Sequence, residues 1–252
     1  MNTNLEIIGL EAVDKFLRTF NSRDPDAWAD SLNFPHVRPS PIGTVTPFET
    51  AQNYIEAFSY DRLLATGWDH SEWDYRHVLH TSEAKIHVAG QWSRYTASGD
   101  KLLSTPIVYI VTKQEGKWGI QSRFGADYVD DGDTSDMETR GFKLIHDFVN
   151  RSNEGNREAC TGLINFPHFD IRPGSLNRGD NINDISLPAG ITSINSLYAV
   201  QTGAHSMNAA LDINLAAEGL SVQRQIVLSI NDRDNHLGIA AWSVLNPIVA
   251  EA

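Results

Sequence analysis

Apolar residues recur at Leu10, Val13, Phe16, Leu17 and Phe20, the three- and four-residue spacing of a single helical face. The chain is therefore predicted to open with an amphipathic helix. Asp24-Pro25 predicts a second, short helix carrying Trp28 and Leu32, because proline at the first helical position gives up an N–H that has no partner there. That helix must end before Pro35. His36-Val37-Arg38 reads as a short strand. Thr46-Pro47-Phe48-Glu49 has the form of a capping box and predicts a third helix through Tyr54, Ile55 and Phe58. Beyond Gly67 the period drops from helical to two. Four strands are predicted near residues 72–80, 84–95, 102–112 and 117–128, with Ser98-Gly99-Asp100 and Glu115-Gly116 as turns.

The pattern then begins again. Phe142, Ile145, His146 and Val149 mark a second amphipathic helix, and strands are predicted near residues 205–217, 220–231 and 237–245. The string Asn33-Phe34-Pro35-His36 recurs as Asn165-Phe166-Pro167-His168. Phe16, Asn21 and Ala27 recur at the same offset as Phe148, Asn153 and Ala159. Arg38-Pro39 matches Arg172-Pro173 after a short insertion, and Gly119-Ile120 matches Gly238-Ile239. This is an internal repeat. The acidic run from Asp130 to Asp136 reads as the linker. Two domains follow, 1–129 and 137–252. Helices followed by antiparallel strands in each predict an α+β fold, a curved sheet with helices on one face, and two copies suggest a fused pseudo-dimer.

Strand alternation separates two faces in each sheet. Ile86, Val88, Gly90, Trp92 and Arg94 share one, as do Trp118, Ile120, Ser122 and Phe124 on the last strand of the first copy. In the second copy Met207, Ala209, Leu211, Ile213 and Leu215 do the same. These sets are expected to face the helices. The opposite faces carry Gln91, Gln121 and Arg123 in the first copy and Asp212 and Asn214 in the second.

Four stretches carry a family resemblance: Phe34-Pro35-His36-Val37-Arg38, Gly67-Trp68-Asp69-His70-Ser71, Trp92-Ser93-Arg94-Tyr95, and Trp118-Gly119-Ile120-Gln121-Ser122-Arg123. Together they resemble the SnoaL-like, ketosteroid isomerase-like branch of the nuclear transport factor 2-like superfamily. The resemblance spans nearly all of 1–129; over 137–248 it rests mostly on element order. It implies a cone of sheet wrapped by helices, with a pocket at the open end and dimerisation through the outer sheet face. If the two copies pack as such dimers do, Gln91, Gln121, Arg123, Asp212 and Asn214 meet in a hydrogen-bonded internal interface, with plain solvent exposure as the alternative. Superfamily members include isomerases, dehydratases, cyclases, epoxide hydrolases and non-catalytic binders, so it implies fold more narrowly than function.

Charge narrows the function classes. The 252 residues carry a formal net charge of -12, which argues against nucleic acid and against an anionic membrane surface. With a single cysteine, Cys160, no internal disulfide and no cysteine-based zinc site can form. Cys160 aligns with Trp28 as a small core residue. The N-terminus lacks the pattern of a signal peptide, and a cytoplasmic protein is expected. His77 and His80 sit at odd spacing on a strand and make a poor metal pair; His87 falls on the outward face. No phosphate-binding glycine loop occurs. Neither metal nor cofactor is expected.

The candidate chemistry lies in the first copy, which holds five of the six tryptophans: Trp28, Trp68, Trp73, Trp92 and Trp118. A working pocket is expected there, with the second copy a degenerate partner. In ketosteroid isomerase-like relatives the strand after the second helix supplies a carboxylate base, yet residues 34–43 contain no Asp or Glu. His36 is the alternative base, Arg38 the holder of an oxyanion or carboxylate, and His70 a second acid. Tyr54, Phe58, Trp68, Trp92 and Trp118 would line the pocket, though aromatics at such spacings also serve as plain core. Since the Phe-Pro-His turn occurs in both copies, a structural duty for His36 and His168 stands beside the catalytic one. The leading expectation is a cofactor-independent enzyme acting by proton transfer on a small, partly hydrophobic molecule, as a lyase, isomerase or hydrolase. The rival is a non-catalytic ligand-binding or protein-interaction module, and a weaker third is a structural pseudo-dimer without a cavity. Further oligomerisation is left open.

Overall fold

The computed structural model describes residues 3–39, 45–125, 132–217 and 220–245. The first copy runs α1 (Thr3–Asn21), α2 (Pro25–Ala29), β1 (Leu32–Val37), α3 (Ala51–Glu56), α4 (Tyr60–Leu64), β2 (His70–Thr81), β3 (Lys85–Tyr95), β4 (Lys101–Gln114) and β5 (Lys117–Gly125). The second runs α5 (Met137–Asn153), α6 (Arg157–Thr161), β6 (Ile164–Arg172), β7 (Ser175–Gly179), a 3-10 turn (Ile182–Asp184), β8 (Ile191–Thr202), β9 (Ser206–Ala217), β10 (Leu220–Arg233) and β11 (His236–Val244). The sheets are ordered β1-β5-β4-β3-β2 and β7-β6-β11-β10-β9-β8. In each, the strand after the two helices runs parallel to the last strand, and the other pairings are antiparallel. The duplication is thus present in topology as well as in sequence.

Asp24 caps α2 by accepting from the Asp26 and Ala27 backbone N–H groups, with Pro25 at the first position. The capping box foreseen at Thr46 lies four residues early: Thr50 caps α3 and Ser59 caps a separate α4, while Phe48 pairs with His36 in an isolated bridge. Each amphipathic helix lays its stripe on the concave side of its sheet. Val13, Phe16, Leu17 and Phe20 pack with Ile86, Val88, Trp92 and Ile120; Leu144, Ile145 and Phe148 pack with Met207, Leu211 and Ile239. Each such side chain contributes about 1.5–3 kcal/mol on full burial. Cys160 is buried in the second of these cores.

Two strands differ from the prediction for a physical reason. β8 was not foreseen; its pairing with β9 shifts register three times, and each shift breaks the alternation that identifies a strand. On β5, Ile110 pairs with Ser122 but Val111 pairs with Ile120, so Gln121 is an inserted bulge residue. The bulge reverses facing beyond it. Ile120 stays in the first cone's core, whereas Phe124 turns to the other side, into the core shared by the two copies. Arg123 turns inward, against the expectation that it faces the second copy.

The outer sheet faces do meet. Their centre is apolar, formed by Val37, Ala89, Val108 and Phe124 with Phe169, Ala210, Val227 and Ala241. Polar bonds ring it. Gln201 donates to the Gly90 and Ile107 carbonyls, Asn208 to that of Phe124, Gln121 to that of Ser175, and Lys85 Nζ to those of Ile171 and Val244. Gln121 is therefore an interface residue, and Asp212 Oδ1 lies 3.9 Å from His80 Nε2. Gln91 instead bonds Asp74, and Asn214 bonds Ser193 within its own copy. The predicted end of β5 at residues 126–128, and residues 130 and 131 of the linker, lie outside the described residues. No helix of the described residues is long and apolar enough to cross a membrane.

Candidate functional site in the first cone

The repeated tetrapeptide has a structural duty in both copies. A Cβ on Gly119 would stand 2.6 Å from Asn33 Oδ1, and one on Gly238 would stand 2.8 Å from the Asn165 backbone N. Glycine is needed at both places to let the parallel strands close. Asn33 Nδ2 donates to the Thr112 carbonyl and Asn165 Nδ2 to that of Asn231. His36 Nδ1 then bonds the Ile120 carbonyl at 3.1 Å, and His168 Nδ1 bonds the Ile239 carbonyl at 3.2 Å. Because a carbonyl only accepts, Nδ1 carries the proton in each case, and Nε2 of the neutral ring is an acceptor.

Beyond this latch the copies diverge. His168 packs at 4.1 Å between ring centroids against Trp242. His36, fully buried, stands edge-on to Tyr54 at 5.4 Å; Nε2 is without a partner in both histidine rings. Arg123 donates to the Tyr54 hydroxyl at 2.7 Å, with its guanidinium carbon 4.9 Å from the Phe16 ring centre. Its Nε is buried with no partner, and the buried Trp92 Nε1 points its N–H at the Tyr109 hydroxyl. No carboxylate of the described residues pairs with Arg123. The cone interior of the first copy thus gathers one acceptor, His36 Nε2, with donors on Arg123, Tyr54 and Tyr109.

Burial pushes His36 well below 6.5, helped by the positive charges of Arg123 and Arg38 and opposed by its bond to Ile120. The ring is therefore neutral at pH 7. Burial likewise raises the Tyr54 and Tyr109 hydroxyls, against the pull of Arg123 and Arg38. Arg38 is exposed at the end of β1, close enough to act on all three by its charge.

Of the residues singled out in the sequence, His36, Arg38 and Tyr54 come together, with Trp92 on the same concave face. Arg123 and Tyr109 were missed. The bulge at Gln121 hid Arg123, and Tyr109 lies within an otherwise apolar run. His70 is not part of the cluster. It opens β2, the far edge of the sheet from β1, where it stacks on Tyr95 and bonds Asp69 Oδ2 at 3.1 Å, with Glu72 at 3.6 Å. Trp68 is buried, donating to Ser71 Oγ and packed on Phe20. Phe58 packs on Trp28 at 4.7 Å, and Trp118 lies half-buried at the margin of the core.

Residues 10–126 match the model of the family described as NTF2-like protein (DUF6841). No curated protein matches the chain. Among solved structures, a domain of unknown function with a cystatin-like fold from Nostoc punctiforme PCC 73102 is similar at 16% identity and a TM-score of 0.41, over 63% of this chain and 93% of that one. An NTF2-like protein of unknown function from Shewanella oneidensis MR-1 is similar at 15% identity and a TM-score of 0.39, over 50% of this chain and 100% of that one. Residues 10–126 are thus NTF2-like, and the second copy repeats the first's order of strands.

Proposed function

We propose that the protein is a cofactor-independent enzyme that moves a proton on a small, partly apolar molecule bound in the first cone. The observation that carries this reading is the buried Arg123 guanidinium, which has a tyrosine hydroxyl for a partner and no carboxylate. Burying an uncompensated charge is costly. A substrate oxygen that is anionic, or becomes so in the transition state, would supply the missing partner.

In this reading His36 Nε2 takes a proton from a carbon beside a carbonyl. The electron pair left by the C–H bond moves onto the carbonyl oxygen, and Arg123 and Tyr54 hold the resulting enolate. Return of the proton to another carbon completes an isomerisation, and departure of a β-substituent completes an elimination. The Nδ1–H bond to Ile120 keeps the base in its accepting tautomer. A general base contributes about 10²–10⁴-fold to such a rate, and one oxyanion donor about 10²–10³-fold. Arg38 would guide an acidic substrate to the cone mouth. His70 has no role in this scheme.

The test is α-proton exchange. A panel of small cyclic and arylalkyl carbonyl compounds is incubated with the protein in D2O and followed by proton NMR. Exchange is expected for some members, reduced about 10²-fold or more in His36→Gln and unchanged in His168→Gln. Equal exchange by His36→Gln and the parent would remove His36 from the mechanism. Saturable binding without exchange would favour the non-catalytic ligand-binding reading.

A further inference from the structure

The second cone encloses a cavity of about 410 Å³, within the range of pockets that hold small organic ligands. Its walls are apolar, with Phe148, Leu211, Ile213, Leu228 and Trp242 among them. Charge is confined to a few lining residues, and register places them at one end. β6 finishes at Arg172 and β11 at Val244, on neighbouring parallel strands. Val244 pairs with Ile226, so Arg224 sits two residues further along β10 at the same edge. Lys85 reaches this edge from the first copy, its Nζ bonded to the Ile171 and Val244 carbonyls.

The charges do not cancel. Arg172 Nε is bonded to Asp170 Oδ2 at 2.8 Å, which accounts for the one carboxylate in the lining. Lys85 is 1% exposed and bonded only to carbonyls; Asp170, already bonded to Arg172, is the anion that acts on it. Arg224 donates to the carbonyl of its neighbour Gln223. Three cations thus face one carboxylate at the end of an apolar chamber. Burial lowers Lys85 to about 8 against the pull of Asp170, and lowers Arg224 below its usual value.

We infer that the second cone is a separate binding site for a small apolar carboxylic acid. The acid's tail would lie among Phe148, Leu211 and Trp242, and its carboxylate between Arg224 and Lys85. The first copy supplies Lys85, so this pocket is complete only in the fused pair. The inference does not rest on chemistry in the first cone.

The test is isothermal titration of the full chain with decanoate, and with decanol as the uncharged match. Decanoate is expected to bind one per chain, at least 10-fold more tightly than decanol. Arg224→Gln is expected to weaken decanoate at least 10-fold and leave decanol unchanged. Lys85→Met is expected to act in the same direction, and Arg224, nearer the surface, gives a reading even if Lys85→Met fails to fold. Arg123→Met, in the first cone, is expected to leave decanoate binding unchanged. Equal affinity for acid and alcohol, no saturable binding, or loss on Arg123→Met without loss on Arg224→Gln would each overturn the inference.

Discussion

At the scale of residues, one short motif does two things. Asn33-Phe34-Pro35-His36 was legible in the sequence as a repeat, but its structural duty was not. The glycines that make room for it lie 86 and 73 positions downstream, and nothing local links Asn33 to Gly119 or Asn165 to Gly238. Alanine at either glycine forces a methyl group into the asparagine it abuts. Gly119→Ala and Gly238→Ala are each expected to lose about 1–3 kcal/mol in urea unfolding, and a loss of less than about 0.5 kcal/mol would show that the latch yields freely. The second duty, that of a base, is the one proposed for His36; His168, whose Nε2 is also without a partner, packs on Trp242. The His36 pKa is held well below 6.5 by burial and by Arg123, so the free base persists as pH falls. The acid limb of a kcat/KM profile is therefore expected to turn below pH 6.5, and a limb centred above 7 would assign the base elsewhere.

At the scale of elements, alternation was a sound guide where strands are regular and failed where they bulge. The facing of β3 and β9 follows the sequence directly: Ile86, Val88 and Trp92 line one cone, and Met207, Leu211 and Ile213 line the other. On β5 a single extra residue, Gln121, exchanged the places of Arg123 and Phe124. β8, shifted three times, left no period to read. The bulge has a consequence that can be measured. Deleting Gln121 would restore strict alternation and leave Arg123 and Phe124 on their present faces, because Ile120 would still pair with Val111 and Ser122 with Ile110. The variant loses the bonds of Gln121 to Thr112, Gly174 and Ser175, and a loss of about 1–3 kcal/mol is expected in urea unfolding. A loss above about 5 kcal/mol would show that β5 pairs differently without the bulge.

At the scale of the whole molecule, the two copies share a core, and a buried polar chain crosses it. His80 Nδ1 and His87 Nδ1 are 3.0 Å apart, and His87 Nε2 is 2.9 Å from Ser243 Oγ. One donor and one acceptor are needed between two Nδ1 atoms, so the pair tolerates a single proton there. Burial lowers both histidines, as it does His36 and His168. A base lowered in the folded state binds protons more readily when unfolded. Stability is thus full above about pH 6.5 and is lost as pH falls toward the folded values, by about 1.4 kcal/mol per pH unit for each histidine. Unfolding midpoints in urea are expected to drop steeply between pH 6.5 and 5, and a flat profile would contradict the burial of these rings.

The pseudo-dimer itself was legible from the repeat, and so was contact through the outer sheet faces. Its apolar centre was not, because Ala89, Val108 and Ala210 read as ordinary strand residues until the sheets are stacked. The central claim is that the first cone keeps Arg123 buried, with a hydroxyl and no carboxylate for a partner, for a ligand and at a cost to folding. The double variant Arg123→Met with Tyr54→Phe removes the charge and its hydroxyl partner together, leaving neither stranded. Its unfolding free energy in urea is the measurement that tests the claim most directly. A gain of about 1–3 kcal/mol over the parent is predicted, whereas a loss of that size would show that Arg123 holds the fold together and is not held in reserve for a ligand.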